Sequence, residues 1–324
     1  MIPREPISIE EFLRRALHDP ATGYYARRIR GVGPRGDFTT APMLTPAPAL
    51  AIARWAADAL RETKCHHLVE IGPGEGRLMR AVLDHLPWHV KWRTRIHLVE
   101  TSAPLRENQR ALLGRKVRWH EHPAAALAAC SGNAVLFSNE LVDAFPARVF
   151  SKAPDGWQEL GVHSDENGKI HEVPVSCAAL PDSSAFTAGF PTGQRVEVHE
   201  AYRDWLAEWL PAWKRGKMLT IDYGDMINRV YHRRPHGTMR AYWFHQRLEG
   251  LEIYQNPGRQ DLTCDVNFSD LIRWNKQHLV TSKLITLADF LREQNTTSDP
   301  LWLDPSGPGG GFHVLDQTRI TGMP

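Results

Sequence analysis

The chain has 324 residues, 42% of them hydrophobic, so it can bury a large core as one large or two modest domains. Its 39 lysines and arginines nearly balance 37 aspartates and glutamates, so the net charge of +2 gives no electrostatic reason to expect a nucleic-acid or membrane partner. The four cysteines lie far apart without a C-x-x-C pair, so neither a disulfide framework nor a metal centre is predicted. Since no signal peptide and no apolar run of about 18 residues is recognised, we predict a soluble cytoplasmic protein.

The first predicted element is an amphipathic helix. It begins after Ser8, which starts a capping box, and it ends at Asp19-Pro20. Residues 31–48 are rich in glycine, proline and threonine and predict an ordered loop or lid. A second helix is predicted over residues 47–63. Residues 1–66 are therefore interpreted as an N-terminal helical segment.

Strands and helices alternate in the next part of the chain. The predicted strands are Leu68–Ile71, Ile96–Glu100, Val117–Trp119 and Ala134–Ser138. The segments between these strands have helical composition. This order predicts a parallel, doubly wound sheet of the α/β class.

After Pro146 the pattern changes to short strands joined by turns. The later predicted elements are antiparallel strands at 148–151, 157–163 and 169–174, an aromatic helix around 202–210, a buried strand at 217–223, a helix at 269–277, a glycine turn at 309–311 and a strand at 312–317. We interpret the middle segment as an insertion into the sheet domain rather than as an independent module.

The first predicted strand leads into three glycines spaced two apart, Gly72, Gly74 and Gly76, and then into a predicted helix. Glycine allows a tight turn and a close approach of the backbone to a ligand. A helix N-terminus presents unpaired N–H groups. A strand, a glycine turn and a helix are the first unit of a nucleotide-type cofactor fold, but the spacing differs from the dinucleotide pattern G-x-G-x-x-G.

Two glutamates lie at predicted strand ends, and Glu70 discriminates between cofactors better than Glu100, because a dinucleotide enzyme also uses an acid at the position of Glu100. Glu100 lies 24 residues beyond Gly76, where a carboxylate can accept hydrogen bonds from both ribose hydroxyls of an adenosine. Glu70 lies before the first glycine, where a carboxylate suits a positive amine or sulfonium and repels a pyrophosphate. S-adenosylmethionine has both positive groups and is the predicted cofactor. The structural alternatives are a solvated strand-end carboxylate at Glu100 and a buried Glu70 tied to a loop amide.

Polar residues also follow the fourth predicted strand. Asn139, Glu140 and Asp143 come at the carboxyl edge of the sheet, where open α/β sheets bind ligands. Two carboxylates suit a guanidinium, which offers a planar fork of donors. Glu140 and Asp143 are therefore candidate catalytic residues, although Asp143 can instead cap the next turn.

Two further residues complete the candidate catalytic set. Asp222 ends the predicted strand 217–223, on the same sheet edge if the topology holds, and its alternative is a turn aspartate. His245 can serve as a base because imidazole titrates near neutrality. In a chain with 16 histidines, a structural or surface role for His245 is the simpler alternative.

These motifs together resemble the MidA-type S-adenosylmethionine-dependent methyltransferases, the family that includes the mitochondrial complex I assembly-factor protein-arginine methyltransferase. The matching segments are His18–Tyr25, Gly36–Pro42, Glu70–Gly76, Val99–Ser102 with Leu105, Arg106 and Gln109, Asn139-Glu140 with Asp143–Pro146, Ile221–Gly224, Gly237–Tyr242 with His245, and Asp261–Thr263 with Val266–Phe268. They follow the family's order from end to end, and the combination is specific where the glycine loop alone is not.

The resemblance implies a Rossmann-like class I methyltransferase sheet over residues 67–324, with inserted α+β elements at about 147–213 and 225–265. The predicted cofactor contacts are Gly36, Asp37, Phe38, Glu70, Gly72, Gly74, Gly76, Glu100, Thr101 and Asn139. For family members with known activity, the resemblance implies methylation of an arginine on a respiratory-complex subunit. Met43 and the short stretch after Leu291 depart from the family and leave the methyl acceptor open.

Three alternatives remain at this point. The chain can methylate a small molecule, or it can be a non-catalytic assembly protein that keeps the cofactor fold for binding. It can also be an NAD-dependent enzyme, which Glu70 and the glycine spacing disfavour. The sequence does not indicate an oligomeric state.

Overall fold

The computed structural model describes residues 2–27, 45–244, 246–276, 278 and 281–320. The helices in these residues are α1 (Ile9–His18), α2 (Tyr24–Arg27), α3 (Ala47–Thr63), α4 (Arg77–His85), α5 (Trp88–Arg93), α6 (Ala103–Leu113), α7 (Pro123–Ala129), α8 (Glu200–Trp209), α9 (Ile227–Val230), α10 (Phe268–Lys276), α11 (Leu287–Glu293), α12 (Pro300–Leu303) and α13 (Pro308–Gly311). The strands are β1 (Ile7–Ser8), β2 (His67–Ile71), β3 (Arg95–Val99), β4 (Val117–His120), β5 (Val135–Asn139), β6 (Arg148–Ala153), β7 (Gly156–Ser164), β8 (Ile170–Val175), β9 (Arg195–Val198), β10 (Arg215–Asp225), β11 (Arg240–Trp243), β12 (Gln246–Leu248), β13 (Asp261–Thr263), β14 (Val266–Asn267), β15 (Thr281–Thr286) and β16 (Phe312–Ile320).

The chain divides into two compact units. The insert unit comprises residues 1–38, 142–204 and 224–271, and the sheet unit comprises residues 39–141, 205–223 and 272–324. Much of the two predicted insertions falls in the insert unit. The domain boundary predicted after residue 66 stays a prediction.

The sheet unit contains a mixed sheet with the strand order β15-β16-β10-β5-β2-β3-β4. The five strands from β10 to β4 are parallel to one another, as predicted. Strands β16 and β15 add an antiparallel edge. The strand at 312–317 was predicted, whereas β15 and the antiparallel direction were not. Because β2, β3, β5 and β10 are parallel, the residues that follow them meet at one edge of the sheet, and this edge carries the candidate site.

Apolar residues of α3 and the sheet form the core of the sheet unit. The alanine-rich sequence of α3 favours a helix, and Ile52 of this helix packs in a buried cluster with Leu68, Leu98 and Phe137 of the sheet. These strand residues alternate along the chain with residues that point to the opposite face. The alternation therefore leaves a second sheet face, which α7 covers.

The insert unit is built on antiparallel pairing. Strands β1, β7, β6 and β9 follow one another in one sheet, with β8 on β7, and β12, β11 and β13 form a second sheet. Helix α1 begins at the cap predicted for it, because the Ser8 hydroxyl accepts the Glu11 N–H at 3.1 Å. Its apolar face, which includes Phe12 and Leu13, packs in a buried cluster with Val162 and Tyr254.

One predicted turn is wrong. Residues 309–311 lie in helix α13 rather than in an open glycine turn. A Cβ at Gly309 would lie 1.9 Å from the Trp302 carbonyl oxygen, so the glycine permits α13 to pack closely against α12. Glycine serves here for close packing, which a sequence pattern does not distinguish from a turn.

Within the described residues, no helix combines the length and apolar character that a membrane crossing requires.

Candidate active site

The glycine loop between β2 and α4 adopts the conformation that its sequence requires. Gly72, Gly74 and Gly76 have φ values of +69°, +52° and +79°, a region that favours glycine. The Gly72 N–H donates to the Val99 carbonyl at 3.0 Å, which ties the loop to the end of β3. A Cβ built on Gly74 meets no atom within 4 Å, so the loop backbone borders open space at this position.

Glu70 is buried beneath this loop at the end of β2. Its carboxylate accepts a hydrogen bond from the backbone N–H of Met79, in the first turn of α4. The second oxygen, Oε2, has no hydrogen-bond partner among the described residues. Burial, together with the nearby Glu100 carboxylate, raises the pKa of Glu70 to about 8. Glu70 is buried as the structural alternative expected, but the amide that contacts it belongs to helix α4 rather than to the loop. The second oxygen is available to a positive group of a ligand.

The raised pKa of Glu70 predicts a pH-dependent stability. Folded protein retains a proton that the unfolded chain releases near pH 4.3, so the stability of the ligand-free protein should fall as pH rises from about 4.5 to about 8. Thermal unfolding followed across this range should show a smaller fall for Glu70→Gln than for the wild type. The exposed Glu107 provides the control, because Glu107→Gln should follow the wild-type curve. Parallel curves for wild type and Glu70→Gln would contradict the prediction.

Glu100 follows β3 and is held by the start of the next helix. Its Oε1 accepts the Ser102 N–H at 2.8 Å, and its carboxylate also accepts the Thr101 N–H. Gln109 of α6 donates to the Gly74 carbonyl at 2.6 Å and lies 3.5 Å from Glu100 Oε2. Trp119 in turn donates to Gln109 Oε1 at 3.0 Å, so this fully buried amide links the glycine loop to Glu100.

Gln109 was not among the predicted site residues, although it belongs to a matching family segment. The sequence does not show that Gln109 reaches Glu100. The contact forms because α6 packs against the glycine loop and brings the Gln109 amide to both.

A substitution tests the role predicted for Glu100. If Glu100 accepts two hydrogen bonds from the cofactor ribose, Glu100→Ala should weaken S-adenosylmethionine binding by about 1.5–3 kcal/mol, which is roughly ten- to a hundredfold. Calorimetric titration measures the change directly. Glu107→Ala on the exposed side of α6 should leave the affinity unchanged. An unaltered affinity in Glu100→Ala would remove Glu100 from the cofactor site.

The turn after β5 places Glu140 beside the glycine loop. Glu140 has a φ of +50°, which is uncommon for a residue with a side chain. Its backbone N–H donates to the Ile221 carbonyl at 2.9 Å, and its Oε1 accepts from Asn139 Nδ2 at 3.0 Å. The next residue, Leu141, lies directly over the loop, because a Cβ on Gly72 would be 2.7 Å from Leu141 Cδ1.

Asp222 supports the same turn from β10. Its Oδ2 accepts the Leu141 N–H at 3.2 Å, and its Oδ1 accepts the Tyr223 N–H at 3.0 Å. The side chain is fully buried. These contacts suit a positioning residue that fixes the Glu140 turn, while the catalytic role for Asp222 stays a prediction.

Asp143 belongs to a buried acidic group in the insert unit. Its Oδ2 accepts from the Thr263 hydroxyl at 3.1 Å. Asp261 accepts from the Tyr25 hydroxyl at 3.1 Å, and burial together with the Asp143 charge raises the pKa of Asp261 to about 7. The N-terminal helix is tied to this segment, because His18 Nε2 lies 3.0 Å from the Ala144 carbonyl. Tyr25 and Asp261 were not among the predicted site residues, although both lie in segments that match the family.

Several predicted residues lie outside the described part of the chain. They are Gly36, Asp37, Phe38 and His245, together with Met43 in the altered loop. Their predicted roles stay predictions.

Comparison with known proteins decides the family. Residues 51–285 match the model of the family described as "putative S-adenosyl-L-methionine-dependent methyltransferase". The chain belongs to this family. The resemblance drawn from the sequence motifs, the methyltransferase fold and the cofactor S-adenosylmethionine are therefore confirmed.

Curated relatives and a crystal structure extend the comparison. The chain is 28% identical over 312 residues to the Caenorhabditis elegans homolog of protein arginine methyltransferase NDUFAF7, covering 85% of this chain and 70% of the relative. It is 27% identical over 325 residues to human NDUFAF7, covering 89% and 69%. A Burkholderia thailandensis protein crystallised with S-adenosyl-homocysteine is 26% identical, with a TM-score of 0.85 and coverage of 98% of this chain and 89% of that one.

One prediction is wrong by this comparison. The sequence predicted a cytoplasmic location, whereas the curated NDUFAF7 relatives are mitochondrial proteins. The widely separated cysteines on which the prediction depended do not distinguish these two compartments.

The residues at the sheet edge fit the family's cofactor. The open space over Gly74 leaves room for a ligand against the loop backbone, and Glu70 Oε2 is a buried oxygen without a described partner at the same loop. Glu100 would hold the ribose, and Glu70 would face the positive methionine end. When bound, S-adenosylmethionine supplies a methyl group on a positively charged sulfur.

Proposed function

We propose that this methyltransferase modifies arginine side chains of a protein. The curated relatives named above are protein arginine methyltransferases, which supports the same class of acceptor here. The matching segment Asn139–Asp143 supplies carboxylates of the kind that recognise a guanidinium. As the family resemblance implies, a respiratory-complex subunit is the first candidate substrate.

The turn at Glu140 is the observation that carries this proposal. Leu141 packs on Gly72, so the turn adjoins the loop that borders the cofactor space. Asp222 and the Ile221 carbonyl bind the backbone of the same turn. A left-handed φ at a non-glycine residue persists only where its surroundings impose it, and such residues concentrate at functional sites.

The chain's own residues would act mainly by alignment. Glu140 would accept hydrogen bonds from the guanidinium N–H groups and hold one nitrogen toward the glycine loop. Near-attack positioning can contribute several kcal/mol to the rate without covalent catalysis. The carboxylate would also favour loss of the nitrogen's proton as the new bond forms. Asp143, three residues later, and His245 keep their predicted supporting roles.

Proteome-wide mass spectrometry tests the acceptor class. Cells that lack this protein should lose methylation at one or more arginines of a protein substrate, and the wild-type chain should restore it. Glu100→Ala, which weakens the predicted cofactor site, should restore less. Unchanged methylarginine together with loss of a methylated metabolite would overturn the proposal in favour of a small-molecule acceptor. Full restoration by Glu100→Ala would instead point to a non-catalytic role.

A further inference from the structure

Three histidines form a row across neighbouring strands of the sheet unit. His67 begins β2, His97 lies within β3 and His120 ends β4. His67 Nδ1 lies 3.0 Å from His97 Nε2, and His97 Nδ1 lies 2.9 Å from His120 Nε2. His97 is fully buried, and the other two are half-buried.

The register of the strands places these side chains on one face. Val69 pairs with His97 and Val99 pairs with His120, and His67 lies two residues before Val69. Residues two apart in a strand share a face. This face is opposite to that of Leu68 and Leu98, so the histidines lie on the side that α7 covers.

Helix α7 adds a cysteine to the row. Cys130 caps its C-terminus, and the buried Cys130 Sγ lies 3.7 Å from His97 Nε2. The ligand atoms of His67, His97 and Cys130 all lie within 4.8 Å of one another. The separations of 3.0 and 3.7 Å and the upper limit of 4.8 Å bracket the geometry of a tetrahedral zinc site, in which bonds of about 2.0–2.3 Å place neighbouring ligand atoms roughly 3.3–3.7 Å apart.

We propose that His67 Nδ1, His97 Nε2 and Cys130 Sγ bind a zinc ion. With Nε2 on the metal, His97 carries its proton on Nδ1, which lies 2.9 Å from His120 Nε2 and would donate to it, an outer hydrogen bond of the kind that fixes the tautomer of metal-ligating histidines. Binding releases the Cys130 thiol proton to solvent, because the thiolate is the ligand. Three protein ligands leave a fourth position for water.

The three proposed ligands are too far apart in the sequence to form a recognisable metal-binding motif. His67 and His97 are 30 residues apart, and Cys130 is a further 33 residues along. The expectation of no metal centre depended on ligands clustered along the chain, whereas parallel strands bring distant residues together.

The His120 carbonyl also accepts the Glu100 N–H at 3.0 Å, so the row of histidines connects through one backbone hydrogen bond to the residue predicted to bind the ribose.

Cobalt titration of the untagged full chain, after removal of metals by a chelator, tests the proposal. We expect one Co²⁺ per chain, with a thiolate-to-cobalt charge-transfer band in the near ultraviolet that Zn²⁺ abolishes. Cys130→Ala should lose this band, and His67→Asn should weaken Co²⁺ binding at least roughly tenfold, since each removes one ligand bond.

Matched controls separate the site from general thiol or histidine effects. Cys177→Ser and the exposed His66→Asn should bind Co²⁺ as the wild type does. Circular dichroism and S-adenosylmethionine binding verify that each variant is folded. If the folded wild type gives no thiolate band, or if Cys177→Ser removes it, the row is a hydrogen-bonded histidine cluster and the proposal is overturned.

Discussion

Glu140→Gln should abolish most methyl transfer while leaving S-adenosylmethionine binding unchanged. The substitution removes the negative charge that holds the guanidinium and assists proton loss, and such groups typically contribute about 10²–10⁴-fold to a rate. Glutamine keeps an oxygen that can accept the Asn139 amide at the position of Oε1, so the turn should retain its shape. A transfer assay with radiolabelled cofactor measures the activity, and calorimetry measures the binding.

The exposed turn residue Glu166 provides the matched control for this experiment. Glu166→Gln removes the same charge elsewhere on the chain and should retain wild-type activity. Glu140→Asp, which keeps the charge on a shorter side chain, should be intermediate. Full activity in Glu140→Gln would exclude Glu140 from the mechanism, whereas a parallel loss of cofactor affinity would assign it to cofactor binding.

Gly74→Ala should weaken S-adenosylmethionine binding by about 1–3 kcal/mol, on the order of five- to a hundredfold, and Gly74→Val should weaken it further. The added side chain enters the open space that the loop leaves at residue 74. A positive φ of +52° also disfavours any residue with a Cβ. Calorimetric titration of the folded variants measures the affinity.

Gly114 separates the steric effect from backbone strain. It has a φ of +69° and also faces open space, but it caps the far end of α6. Gly114→Ala should therefore lower the unfolding temperature without changing cofactor affinity. If both glycine variants lose affinity equally, strain rather than an occupied cofactor space explains the result, and the predicted contact at Gly74 fails.

Local patterns predicted most elements of the sheet unit. The helix predicted over residues 47–63 has those bounds in the structure, and β2 to β5 lie within one or two residues of the predicted strands. Apolar runs separated by helical segments are informative because parallel strands covered on both faces are rich in apolar residues. The strand at 312–317 was predicted, but β15 and the antiparallel pairing of both strands were missed, since strand direction depends on long-range pairing.

Side-chain partners were much less predictable than elements. The sequence indicated Glu70 as an acid at the glycine loop, but its bond to the Met79 amide depends on how β2 meets α4. Similarly, Asp222 was predicted from its position at a strand end, and only pairing of β10 with β5 shows that it binds the Leu141 N–H. Hydrogen bonds between elements require their packed geometry, which no local pattern contains.

The sequence by itself predicted the cofactor class and the family, because glycines at fixed spacing, acids at predicted strand ends and matching motifs from end to end can all be recognised along the chain. Tertiary structure alone decided that Gln109 joins the glycine loop to Glu100. It also decided that His67, His97 and Cys130 converge. The physical reason is the same in both cases: parallel strands and the helices packed on them bring into contact side chains that are tens of residues apart, so their chemistry depends on register and packing rather than on neighbours in the chain.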